Sequence, residues 1–175
     1  MTKATEKKPV IAGRAAEADP RAAVDERTLV LTRTFKAPRE LVFEAWTHPK
    51  HLVKWWGPTD FTLPHCEQDF RVGGKYRFCM RAPDGSDHWV RGEYTHIDPP
   101  SRLVFTWLRE DGTGDIWCDT VVAITLEQRG ASTVLTLNQT TFATVAHCEE
   151  HAFGWNECLD RLAAFTRGSE QRSTN

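Results

Sequence analysis

At 175 residues and a formal net charge of -2, the chain has room for one domain with a sizeable core and no excess of positive charge to hold a phosphate backbone, so nucleic acid is not an expected partner. Hydrophobic residues make up 40% of it, as in ordinary globular proteins, and no apolar run approaches membrane-spanning length. Five cysteines, Cys66, Cys79, Cys118, Cys148 and Cys158, follow no short repeated spacing, which argues against a disulfide framework or zinc knuckle and for reduced thiols in a cytoplasmic protein.

Residues 1–27 are rich in Lys, Ala, Glu, Arg and Pro, with few large apolar side chains beyond Val10, Ile11 and Val24. Such a segment buries too little surface to offset its ordering entropy, so it is expected to be a disordered tail rather than a docked helix, and it lacks the apolar stretch of a secretory signal. The folded domain is expected over 28–167, followed by a polar tail over 168–175. Residues 28–36 alternate as a strand. Ala37-Pro38 then opens a helix carrying Leu41, Val42, Ala45 and Trp46 on one side, and a second short helix is predicted over 49–55. Strands follow at hairpin spacing over 61–70, 75–81, 89–97, 102–108, 118–127 and 133–140, with turns at Pro83-Asp84-Gly85 and Arg129-Gly130. The last element, 144–165, reads as a long helix with Trp155, Leu159 and Leu162 at spacings of four and three.

Several motifs mark this order of elements: Arg33-Thr34-Phe35-Lys36-Ala37-Pro38, Trp55-Trp56-Gly57-Pro58, Asp69-Phe70-Arg71-Val72-Gly73-Gly74, Gly92-Glu93-Tyr94 with Pro99-Pro100, and Gly154-Trp155 with Leu159 and Leu162. With them the chain resembles the START-like (SRPBCC) superfamily, in the branch named after homologues of the activator of the heat-shock-protein-90 ATPase. The resemblance covers roughly Leu29 to Phe165. It implies an α+β helix-grip fold, in which a curved antiparallel sheet of about seven strands is crossed on its concave face by the long C-terminal helix. The superfamily includes lipid and hormone binders, polyketide cyclases, toxin-resistance proteins and chaperone co-factors, so it constrains fold more than activity.

Period-two alternation puts Tyr76, Phe78 and Met80 on one face of their strand, with Leu103, Phe105 and Trp107 and then Val122, Ile124 and Leu126 facing the same way. His151, Trp155, Leu159 and Leu162 form the facing helical stripe. The candidate ligand-binding set is Trp56, Tyr76, Phe78, Met80, Tyr94, Phe105, Trp107, Val122, His151, Trp155 and Leu159, with Tyr94, His151 and the indole N–H of Trp107 or Trp155 as polar points. Taken singly, each is also an ordinary core residue. Trp55-Trp56-Gly57-Pro58 reads either as a lid at the pocket mouth or, preferably, as a plug at the end of the sheet. Asp69 and Arg71 are expected to hold the Gly-Gly turn, by a salt bridge or by hydrogen bonds to the backbone, rather than to catalyse.

His147-Cys148-Glu149-Glu150-His151 matches H-x-x-E-H, in which two helical histidines bind zinc and the glutamate activates water. A third ligand and the larger scaffold of such enzymes are missing, so no metal is assigned. There is no nucleophile elbow, phosphate-binding loop or dinucleotide fingerprint, and no cofactor or catalytic residue is assigned either. The preferred reading is binding of a small apolar or amphipathic molecule, for sequestration, resistance or transport without turnover. A cyclase, aromatase or hydrolase in the same cavity is the alternative. The family name invites a third reading, a chaperone co-factor or stress-response interaction module, and a homodimer is compatible with the chain.

Overall fold

The computed structural model describes residues 26–140 and 142–173. Most of the expected N-terminal tail and the end of the C-terminal one lie outside them. The elements are β1 (Leu29–Phe35), α1 (Arg39–Thr47), α2 (Pro49–Trp55), β2 (Thr62–Gln68), β3 (Lys75–Arg81), β4 (Asp87–Asp98), β5 (Arg102–Glu110), β6 (Ile116–Arg129), β7 (Ser132–Thr140) and α3 (Val145–Ser173). The strands form one antiparallel sheet in the order β1-β7-β6-β5-β4-β3-β2. The two short helices carry the chain from one edge of the sheet to the other, and a meander from β2 to β7 then returns it beside β1.

Both short helices begin at proline. Pro38 caps α1 without needing an N–H, and Leu41 and Val42 donate to its carbonyl. Pro49 opens α2, while the His48 side chain accepts from the Lys50 N–H at 3.2 Å. Helix α1 buries Val42, Phe43, Ala45 and Trp46; α2 buries Leu52 and Trp55. The Trp55 indole donates to the Ala45 carbonyl at 2.9 Å, tying the two helices together.

The sheet opens at Gly92. Between the Arg91–Leu108 and Tyr94–Phe105 pairs the β4–β5 ladder is interrupted, and a register shift follows at Tyr94/His96. The Tyr76 hydroxyl donates to the Thr106 carbonyl at 2.6 Å, while the Glu93 N–H donates to the Thr106 hydroxyl at 2.9 Å. A Cβ on Gly92 would stand 2.0 Å from the Thr106 carbonyl oxygen and 2.7 Å from the Tyr76 ring, so only glycine lets that tyrosine cross the strand. Bulge and glycine together bend the sheet.

Helix α3 crosses the concave side and buries Cys148, His151, Trp155, Cys158, Leu159, Leu162 and Thr166, a stripe at spacings of three and four. It runs to Ser173, past the end at 165 that its apolar pattern suggested. Gly168 costs a helix roughly 1 kcal/mol, but Arg167, Glu170, Gln171 and Arg172 around it have good helix propensity. The inward faces expected from alternation are buried, with Val122, Leu159 and Leu162 fully so, and Val90, Leu135 and Leu137 join them. Among the described residues, no helix is long and apolar enough to cross a membrane.

Candidate functional site

The turn after α2 sets the geometry of the concave side. Gly57 has a φ of +100°, and a Cβ there would press on Phe61 at 3.1 Å, so glycine is required. Arg161 of α3 reaches over and places Nη1 2.8–3.4 Å from the carbonyl oxygens of Trp56, Gly57, Pro58 and Phe61. The turn is thereby locked against the helix with the Trp56 indole inside. That ring contacts Trp46, Trp55, Phe78, Trp107 and Trp155 at centroid distances of 5.3–6.0 Å.

Trp56 divides the candidate residues into two groups. Behind it, Tyr76, Phe78, Tyr94 and Phe105 pack directly on one another, with ring centroids 4.9–6.2 Å apart, and leave a gap of only about 10 Å³, room for one water at most. These four are solid core. Val122 and Leu159 are fully buried and border neither this gap nor the cavity on the other side of Trp56. In front of Trp56 a cavity of about 240 Å³ remains between α3, the 56–61 turn and strands β3 to β5. Trp56, Met80, Trp107, His151 and Trp155 line it, so five of the expected residues come together while the other six do not. The reason is bulk, because the large ring of Trp56 fills the middle of the grip.

The expected polar points are satisfied within the protein. The Tyr94 hydroxyl donates to Gln68 Oε1 at 2.6 Å. Trp155 Nε1 donates to Gln139 Oε1 at 2.7 Å, and Gln139 Nε2 donates to the Thr120 hydroxyl at 2.8 Å. Trp107 Nε1 donates to His151 Nε2 at 3.2 Å, and His151 Nδ1 donates to the His147 carbonyl at 2.7 Å. Both imidazole nitrogens are therefore engaged in the neutral form. Burial drives the His151 pKa down to about 4, more than the hydrogen bond to His147 raises it. The His147 ring instead lies against Trp117 at 4.9 Å. Among the described residues, no three His, Cys, Asp or Glu side chains converge as a metal site.

Polar groups that sequence reasoning missed stand at the cavity wall. Arg109 at the end of β5 and His88 at the start of β4 both line it, with Glu150 and Glu157 of α3 on the rim. Arg109 Nη2 donates to His88 Nδ1 at 3.4 Å; His88 Nε2 then bonds Ser86 Oγ at 3.1 Å, which donates to Asp84 Oδ1 at 2.6 Å. Burial lowers the pKa of His88, with the Arg109 charge adding to it, so this ring is neutral at pH 7. The Trp56 indole N–H is buried without a partner.

A second, larger hollow of about 590 Å³ lies open on the outer face of the sheet. Charged side chains make up about half of its lining, and two of them are held by Glu110, Arg77 at 3.0 Å and Arg91 at 3.2 Å, while the Arg77 guanidinium sits 3.9 Å over Trp89. Larger volume does not make it the better ligand site: Tyr76 is the one aromatic residue lining it, against three indoles in the smaller cavity, so the smaller one offers a flat ring more contact. Asp69 and Arg71 pair at 2.7 Å beside the Gly73-Gly74 turn.

A curved seven-stranded sheet gripped by a long C-terminal helix, with a small aromatic cavity beneath it, defines a START-like helix-grip domain. Residues 36–167 match the family described as activator of Hsp90 ATPase homolog 1-like protein, and the chain belongs to that family. It is 30% identical to a Chromobacterium violaceum protein of known structure, over 80% of this chain and 96% of that one, with a TM-score of 0.74. It is 28% identical to a Silicibacter pomeroyi protein titled AHSA1, over 78% and 95%, with a TM-score of 0.73. A Nitrosomonas europaea structure, 23% identical over 85% and 99% with a TM-score of 0.72, shares the fold. No curated protein matches the sequence.

Proposed function

We propose that the protein binds a small aromatic molecule in the cavity between α3 and the 56–61 turn, without turning it over. The observation that carries this is a cavity of about 240 Å³ walled by three indoles, Trp56, Trp107 and Trp155, with Met80 and Phe61 beside them. Flat rings make large apolar contact there at little cost in side-chain entropy, and burying ~150 Å² of ligand surface at ~25 cal/mol per Å² supplies about 4 kcal/mol before ordering costs. The volume falls below the ~300–1,000 Å³ of drug-sized sites. It suits a one- or two-ring ligand and disfavours a lipid or a polyketide chain. His151 supports binding over proton transfer, since partners occupy both its nitrogens. The tryptophans that could have formed a partner-docking patch offer little open ring surface: Trp55 is fully buried, while the half-buried Trp89 and Trp117 carry Arg77 and His147 on them.

Gly154 provides the test. It lines the cavity on α3, and a Cβ there meets only Pro58 Cγ, at 3.9 Å. Gly154→Leu should project an isobutyl group into the space while favouring the helix. Naphthalene-type probes should bind the wild type one to one and quench tryptophan fluorescence. The variant, folded with an undiminished melting temperature, should lose binding at least tenfold. Equal affinity in both would remove the cavity from consideration.

A further inference from the structure

We propose that the ligand is an aromatic carboxylate, its rings between the indoles and its carboxylate on the Arg109 guanidinium. This rests on the cavity being the binding site and adds the chemical class of its occupant. Arg33, Arg71, Arg77, Arg81, Arg91 and Arg129 each sit in an ion pair, whereas Arg109, the arginine that lines this cavity, is in none among the described residues, and neither are Arg39, Arg102 and Arg161 elsewhere. Its Nε is shut away from water without a hydrogen-bond partner, and its one hydrogen bond is the long one from Nη2 to His88. The guanidinium also lies 5.2 Å from the centroid of the Trp117 ring, which fixes its plane without neutralising its charge. A half-buried cation with its Nε shut from water and no counter-ion is poorly compensated, and bringing in a carboxylate at the remaining Nη N–H groups supplies that compensation.

The other ionisable groups on the cavity agree with this assignment. His88 accepts from Arg109 and is neutral, so it holds the guanidinium in place without repelling it or competing for the ligand's charge. Glu157 is occupied by the Thr59 N–H at 3.1 Å. Glu150 is exposed, and solvent screens its attraction for Arg109. Desolvation accordingly outweighs Glu150 in its effect on the Arg109 pKa, which is lowered. A carboxylate inside the cavity would meet the guanidinium without that screening. Deeper in, the unpartnered Trp56 N–H offers a donor to a ring oxygen or nitrogen.

The experiment compares 2-naphthoate, its neutral amide 2-naphthamide and the cation 2-naphthylmethylammonium, titrated against tryptophan fluorescence of the full chain in low-salt buffer free of carboxylate and phosphate. Wild type should prefer the naphthoate over the amide at least tenfold. Arg109→Gln should bring that ratio to within about twofold of one, and Arg109→Lys, which keeps the charge but loses the planar fork, should retain part of it. Melting curves establish that each variant is folded. If Arg109→Gln does not fold, the ratio in wild type and its shrinkage in Arg109→Lys decide. Equal affinity for naphthoate and amide in wild type, a preference for the ammonium, or an acid preference that persists in Arg109→Gln would each overturn the assignment while leaving the cavity a binding site. Binding of none of the three would overturn both readings.

Discussion

Acidification from pH 7 to pH 5 should destabilise the fold chiefly through His151. This imidazole is buried, accepts from the Trp107 indole and has a folded pKa of about 4, whereas an unfolded histidine titrates near ~6.5. The folded value is the lower one, so the unfolded chain takes up the proton first as the pH falls. Stability contributed by the neutral ring is fully present above pH ~6.5 and is lost as the pH drops through the window down to about 4. The total is ~3 kcal/mol, of which about 2 kcal/mol is lost by pH 5. For a chain of this size that corresponds to a fall of roughly 4–8 °C in melting temperature. His88, with its pKa also lowered by burial, adds a loss of the same sign. The carboxylates with lowered pKa values, Asp84, Asp87, Asp111 and Glu127, are on the surface and act below their unfolded values of 3.8 and 4.5, which lie beneath the range from pH 7 to pH 5. His151→Gln can still accept from the Trp107 N–H but takes up no proton. Urea unfolding at pH 7, 6 and 5 should show a steep loss of stability in wild type and a shallow one in the variant. Parallel slopes would refute the placement of His151 as a buried neutral acceptor.

Trp155→Ala should cost ~3–5 kcal/mol by urea unfolding, while Trp155→Phe should still cost ~1–3 kcal/mol because Gln139 Oε1 is left buried without its donor. Gly92→Ala should be strongly disruptive, as should Gly74→Ala, since a backbone carbonyl oxygen stands 2.0 Å and 1.9 Å from the respective new Cβ, whereas Gly154→Ala should stabilise by about 0.5–1 kcal/mol; a melting temperature that rises in either of the first two or falls in the third would contradict the corresponding placement. Arg161→Leu should cost ~1.5–3 kcal/mol and expose the 56–61 turn to limited proteolysis, because the charged donor to four carbonyls is gone.

The strands were readable because one face of the sheet is buried and the other wet, so β3 falls at the expected 75–81 and the remaining strands within a few residues of their expected ends. The proline-led helix over 49–55 was readable for the reason that sets its first turn. The end of α3 was not, because its last turns carry no apolar stripe to mark them and hold by local propensity. Arg161 was also invisible. A lone arginine on a helix gives no sign that a neighbouring turn has presented carbonyls to it, and that arrangement exists only once Gly57 has taken its positive φ.

The polar half of the site was within reach of the sequence and was lost at two strand ends. Leu103, Phe105 and Trp107 alternate inward, and the same period continues to Arg109, one residue past the expected end of that strand at 108. Val90, Gly92 and Tyr94 alternate likewise, and counting back by two reaches His88, one residue before the expected start at 89. The observed register joins these extensions, with Met80 opposite His88 and Val90 opposite Arg109. Burying a charged residue unpaired is unfavourable, so apolar alternation alone does not announce an inward arginine. That penalty is also what gives Arg109 the most to gain from an anion in this cavity.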